Sequence, residues 1–248
     1  MGLVGAGSYE YEKDYVFATV ETLNRDTHLF QYQPDAFDCI ILDEAHHSSN
    51  NIYTKVIDYF NPKLFLGMTA TPDKRDDNQE GKNIYEIFHY QIAHEIRLQQ
   101  AMENNLLCPF HYFGISEVVS LDDKTLQAAK LTDDEFNQLT SDERVRHVIE
   151  QSEYYGYSGD RVRGLIFCSR VKECEELSRK FNALGYRTIA LSGADSEEKR
   201  QKAFERLAMD EADTTEEMQP LDYIFSRDIL NEGVDIVEVN QVIMLRPT

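Results

Sequence analysis

The sequence predicts an α/β fold built as two parallel-sheet lobes, and two observations carry that prediction. Short apolar runs recur with little polar alternation, the pattern of strands covered on both faces. Amphipathic stretches of helical period lie between them, and strand–helix alternation implies right-handed crossovers. In chain order the strand candidates are "YVFATV" (15–20), "CIIL" (39–42), "LFLGM" (64–68), "FHYFGI" (110–115), "GLIFC" (164–168), "RTIAL" (187–191), "DYIFS" (222–226) and "QVIML" (241–245). Between them, "YTKVIDYF" (53–60) puts Val56, Ile57 and Phe60 on one face, and 91–107 places Ile92 and Ile96 ahead of Leu106 and Leu107. Residues 133–155 have room for one or two helices, 172–185 is amphipathic and stops at Gly185, and 196–208 opens on Ser196 with Glu197 and Glu198, a good N-terminal cap.

Pro109 interrupts the helical pattern and the stretch 116–140 turns polar, so the chain divides at about residue 112 into lobes of 1–112 and 113–248. The 248 residues, 42% apolar and 28% charged, suffice for two lobes that each bury a core. No run approaches the ~18 apolar residues of a membrane span, and "MGLVGAGSYEYEKD" lacks the basic and apolar regions of a secretory signal. The four cysteines have no zinc-knuckle spacing; Cys39 and Cys168 sit inside apolar runs and read as buried free thiols in a reducing cytoplasm. A net charge of −20 argues against broad electrostatic attraction to nucleic acid. It is uneven: 209–222 carries six acids and no base and reads as a solvated loop.

The segment with chemistry in it is "DEAH" (43–46), which follows an apolar strand without a polar lead-in. Open parallel sheets bind ligands at the carboxyl ends of their strands. Paired carboxylates there suit a hard cation: Asp43 can hold Mg²⁺ and Glu44 can polarise a water. The same two acids also suit the plain start of a loop. His46 and His47 are adjacent with no third ligand at useful spacing, which speaks against zinc.

"DEAH" followed by "GMTATPDK" (67–74) resembles motifs II and III of superfamily 2 helicases and translocases. The resemblance continues through most of the chain. "FATVETL" (17–23) is similar to the segment before motif II, whose Thr, here Thr19, approaches the nucleic-acid backbone. "RLQQAMENNLLCPFHYFGI" (97–115) resembles the link between lobes in relatives of type III restriction-enzyme res subunit motors. "GLIFCSR" (164–170) looks like motif IV, 189–207 like the strand, loop and helix that follow it, and 222–248 like motif V and its flanks. Each motif is short; their order and spacing make the combination specific.

The resemblance implies two RecA-like lobes that close on ATP and Mg²⁺ and grip nucleic acid, duplex DNA in preference to RNA. It implies that Asp43 positions Mg²⁺ and Glu44 the attacking water. His46 with Thr69, Ala70 and Thr71 would couple that site to the second lobe, and Gly233 and Asp235 would line the cleft opposite. Ser169 and Arg170 become candidates for phosphate contact, although Arg170 equally suits a surface position and Asp235 a turn. Departures matter too: "GLVGAGSYE" (2–9) is Gly-rich without the Gly-Lys-Ser/Thr that cradles phosphates, and no arginine-bearing motif VI follows "MLRPT". The expectation is an N-terminally truncated first lobe, a piece of a longer motor that hydrolyses ATP poorly alone, with any nuclease or specificity domain outside these residues. An RNA helicase, or a binding module that kept the fold and lost the engine, are the alternatives.

Overall fold

The computed structural model describes residues 1–48, 51–71, 84–116, 118, 131–230 and 236–246, and the chain divides into two units, 1–110 and 111–248. No helix among the described residues is long and apolar enough to cross a membrane.

The second unit is the more regular. Strands β6 (Gly164–Phe167), β7 (Thr188–Leu191), β8 (Tyr223–Ser226) and β9 (Gln241–Met244) form one parallel sheet in the order β7-β8-β6-β9. Alternate residues of the central strands feed two cores, as a period of two requires. Ile166 and Phe225 pack with Val145, Leu177 and Phe181 on one face; Phe167 and Ile224 pack with Ala203, Leu207 and Leu221 on the other. The apolar runs of β6 and β8 are thus continuous because both faces are covered. At the start of β6 only glycine fits, since a Cβ on Gly164 would lie 2.3 Å from the Tyr223 ring.

Covering helices follow from local signals. The stretch 133–155 splits into α6 (Asp133–Leu139) and α7 (Asp142–Tyr155), because Thr132 makes a capping box with Glu135 and Ser141 caps the second start. Helix α8 is Val171–Ala183, and α9, Glu197–Ala208, is capped by Ser196 as its sequence predicts. The acidic stretch after α9 is anchored at its ends. Arg161, itself buried, donates to the carbonyls of Leu207 and Leu221 at 2.7 and 2.8 Å. Arg187 pairs with both Asp222 and Glu211 and holds the Glu211 carboxyl below its ordinary range.

The first unit has two small sheets. Strand β1 (Gly2–Gly5) pairs antiparallel with β2 (Ser8–Tyr9) and parallel with β3 (Val16–Ala18). Strand β4 (Cys39–Leu42) pairs parallel with β5 (Leu64–Gly67) in the register Leu42↔Gly67. Short helices α1 (Val20–Leu23) and α2 (Asp26–Leu29) follow β3, and α3 (Asn51–Tyr59) joins β4 to β5. Leu29, Tyr32 and Phe60 form the core with Phe37, Ile40 and Val56 around them. Helices α4 (Ile84–Ile87) and α5 (Leu98–Glu103) lie downstream.

Three expectations are corrected in this unit and at the boundary. Strand β4 is not covered on both faces: Ile41 is 57% exposed and Cys39 also faces outward, while Ile40 and Leu42 point inward. The helix expected over 91–107 shrinks to α5, with residues 91–97 irregular and Asn105 ending it at φ 57°. The run 110–115 is not a strand, and Phe110, Tyr112 and Phe113 are exposed; an apolar run makes a strand only when a ladder partner meets it.

The cysteines then divide by reactivity. Cys39 and Cys108 are exposed, whereas Cys168 and Cys174 are buried, and burial beside Cys174 pushes the Cys168 thiol up. Titration of the folded chain with Ellman's reagent should give two fast thiols, with the other two reacting only on denaturation. A fast third thiol would contradict the core described above.

Candidate active site

Strand β4 delivers Asp43 and Glu44 at its carboxyl end, and β5 delivers Thr69 alongside. The backbone laces the two ends together: Met68 N–H donates to Leu42 O at 2.9 Å, and Ala45 N–H donates to Met68 O at 2.8 Å. Between these bonds the chain must turn sharply, and Glu44 takes it in the left-handed region at φ 48°, ψ 47°. Such a conformation in a residue other than glycine costs ~1–3 kcal/mol and survives where surrounding bonds fix it. Here they include Glu44 N–H to Asp43 Oδ1 at 3.0 Å and a 3₁₀ turn over Ala45–His47, closed by His47 N–H to Glu44 O. Gly67 allows the close approach: a Cβ there would sit 2.4 Å from Phe88 and 3.0 Å from the Ala45 methyl group.

The side chains converge on His46, which is buried. Its Nδ1 lies 2.9 Å from Thr69 Oγ1 and 3.3 Å from Glu44 Oε2. A proton on Nδ1 faces the Glu44 carboxylate and the Thr69 hydroxyl at once. Thr69 Oγ1 also accepts the Thr71 N–H at 3.1 Å, which turns the Thr-Ala-Thr segment on itself. Ala70 and Thr71 are exposed, as is Asp43, while Glu44 keeps 42% of its side chain open to solvent.

Two carboxylates in this position fit Mg²⁺, which binds one or two protein oxygens and keeps its remaining sites for water and phosphate. Asp43 Oδ1 is engaged by the Glu44 amide, and its second oxygen is the donor such an ion would take. No cluster of three or more His, Cys, Asp or Glu side chains that would cage a metal is found among the described residues, so a bound cation would rely on its ligand for most of its shell.

Thr19 follows β3 of the other small sheet at the N-cap position of α1, and its Oγ1 lies 2.8 Å from Thr22 Oγ1. Ser169 and Arg170 belong to the second unit, in the turn between β6 and α8. Gly233 and Asp235 lie outside the described residues. Sequence reasoning missed two residues under the Ser169–Arg170 turn, Glu173 and Arg144. Both are buried and ion-paired at 2.7 Å, and Glu173 accepts from Ser169. Their only sequence signal was a charge on the first turn of a helix, which solvated faces also show.

Comparison with known proteins agrees with the order of these segments. Residues 4–74 match the family described as type III restriction enzyme, res subunit, and residues 144–248 match the helicase conserved C-terminal domain. The chain is 21% identical over 249 aligned residues to the putative ATP-dependent helicase IRC3 of Saccharomyces cerevisiae, covering 96% of this chain and 33% of that protein. It is 21% identical over 243 residues to the probable helicase D10 of Escherichia phage T5, covering 98% of this chain and 49% of that one. Among solved structures it is similar to S. cerevisiae Dbp5 bound to RNA and ADP BeF3, at 14% identity and TM-score 0.47, over 97% of this chain and 54% of that one. The chain thus spans between a third and a half of the length of these two curated relatives. With the restriction-motor match on the acidic turn of the first unit and the helicase C-terminal match on the parallel sheet of the second, the chain belongs to the superfamily 2 helicases and translocases related to the type III restriction enzyme res subunit.

Proposed function

We propose that this chain supplies the acidic turn and the coupling segment of an ATP-driven motor that moves on duplex DNA. One observation carries the reading: His46 Nδ1 lies 3.3 Å from Glu44 Oε2 and 2.9 Å from Thr69 Oγ1, so a single ring nitrogen links the acidic strand end to the Thr-Ala-Thr segment. Phosphoryl transfer asks little covalent chemistry of a protein; it asks for charge neutralisation, an oriented water and a way to feel the phosphate leave. Asp43 is the residue that would hold Mg²⁺, and the ion, when bound, neutralises charge on the triphosphate. Glu44 is the base that orients water, its carboxylate open to solvent on one side and steadied by His46 on the other. Any displacement of Glu44 shifts the shared Nδ1 contact and with it Thr69, so the state of the acidic site is transmitted to an exposed segment. Thr71 and Ala70 carry that change outward. Gly233 and Asp235 are assigned to the opposite side of the nucleotide, and Thr19 and Arg170 to the nucleic-acid backbone.

The match to a restriction-motor family and the relatives named as helicases support ATP and nucleic acid as ligands, and the restriction relationship favours duplex DNA. The sequence has no Gly-Lys-Ser/Thr, so the 248 residues alone are assigned weak turnover at most.

ATP hydrolysis by the complete protein expressed from its natural gene, with duplex DNA, single-stranded DNA or RNA added, is the test. Stimulation by duplex DNA well above RNA is expected. Stimulation by RNA alone moves the protein to the RNA helicases. No turnover with any of them, beside retained nucleic-acid binding, makes it a binding module.

A further inference from the structure

We infer that Glu173 and Arg144 are positioning residues which set the Ser169–Arg170 turn for phosphate contact, and that Ser169 acts as their strut. This rests on the nucleic-acid reading above. The turn leaves β6 at the carboxyl edge of the parallel sheet, where such sheets meet their ligands.

Ser169 has both its donors committed inward. Its N–H donates to Glu173 Oε2 at 2.9 Å and its hydroxyl donates to the same oxygen at 2.6 Å. Phosphate oxygens only accept, so the hydroxyl in this arrangement has no proton to offer a backbone phosphate. The other oxygen, Glu173 Oε1, accepts from Arg144 Nη1 at 2.7 Å. That guanidinium also donates to Leu139 O at 2.8 Å and Leu245 O at 3.2 Å. One buried cation therefore ties the end of α6, the residue after β9 and the first turn of α8 to a single point, and Glu173 passes that fixation to the turn.

Glu173 has no exposed surface and Arg144 has 2%. Burying an ion pair is a poor route to stability compared with apolar residues of similar volume. Its yield here is directional: a carboxylate with one oxygen on a fixed cation holds its other oxygen, and both Ser169 bonds, in one place. Arg170 follows immediately, half-buried, with an extended backbone at φ −145°, ψ 152° ahead of α8. Its exit vector is set by the residue before it.

The test measures binding of the chain to a fluorescein-labelled DNA duplex by anisotropy across a salt series. Arg170→Ala should weaken binding about tenfold and reduce the slope of log K against log salt by about one. Ser169→Ala, which leaves the ion pair whole, and the paired variant Arg144→Met/Glu173→Met should each lose affinity in the same salt-dependent way. On the Arg170→Ala background neither should cost anything further, because both act through Arg170. Thermal unfolding monitored in parallel should show Ser169→Ala still folding cooperatively, with a modest drop in midpoint from the lost hydroxyl bond, so that variant carries the test if the paired one does not fold. Added loss on the Arg170→Ala background, or no loss from Ser169→Ala alone, overturns the positioning role. A silent Arg170→Ala instead removes the phosphate contact proposed for this turn, and a chain that captures no duplex removes the nucleic-acid reading together with the inference.

Discussion

Glu44→Gln is expected to lower the nucleic-acid-stimulated ATP turnover of the complete protein by about 10²–10⁴-fold, the range that a positioned acid–base group contributes. The loss should fall on kcat and leave KM for ATP nearly unchanged, because glutamine keeps the size of the side chain and leaves Asp43 untouched. Backbone geometry does not confound the result. Glu44 already occupies the left-handed region, and both residues pay a similar cost there. The amide can still meet His46 Nδ1, so the contact to Thr69 has no reason to break. What disappears is the negative charge that orients water at the end of β4. Asp43→Asn should behave differently, raising the Mg²⁺ requirement and the KM for ATP together. Should Glu44→Gln hydrolyse ATP at the unsubstituted rate, the acidic pair is merely the start of a loop, and the motor assignment for these residues fails.

How much of this was readable beforehand differs between the units. In the second, β6, β8 and the helix after Ser196 were legible because both faces of the central strands are covered and Ser196 announces its helix, whereas the Thr132 cap that splits 133–155 was not read. In the first, "CIIL" looked identical to a buried strand, yet its outer residues are exposed; apolarity reports what a residue tolerates, and only neighbours determine whether it is covered. β1 and β2 were missed because glycines and a two-residue strand give no periodic signal. At the site, the carboxylates and the Thr-Ala-Thr segment were visible as motifs, while the bond joining them through His46 spans 23 residues and depends on a left-handed turn at Glu44. The Glu173–Arg144 pair spans 29 residues and was invisible for the same reason. Sequence shows residue types at local spacing; the pairing of distant buried charges is decided by topology.

The largest stability effect should come from breaking that pair on one side only. Glu173→Ala is expected to lower unfolding stability by about 3–5 kcal/mol, since it removes one partner of a buried ion pair and leaves the other buried. Arg144 would keep its bonds to Leu139 O and Leu245 O, so its protons are not all orphaned, but the buried carboxylate that faces it at 2.7 Å would be gone. The turn would also lose the one oxygen that accepts from both Ser169 donors. Urea unfolding followed by far-UV circular dichroism measures the change as a lower midpoint at constant slope. The paired variant, Arg144→Met/Glu173→Met, removes both charges and fills similar volume, so it should recover most of the loss. That recovery separates two roles within one contact. If the pair existed to hold the second unit together, the paired variant would be as unstable as the single one. If it exists to aim the turn, the paired variant stands up to urea and still binds DNA more weakly, by no more than the loss from Arg170→Ala.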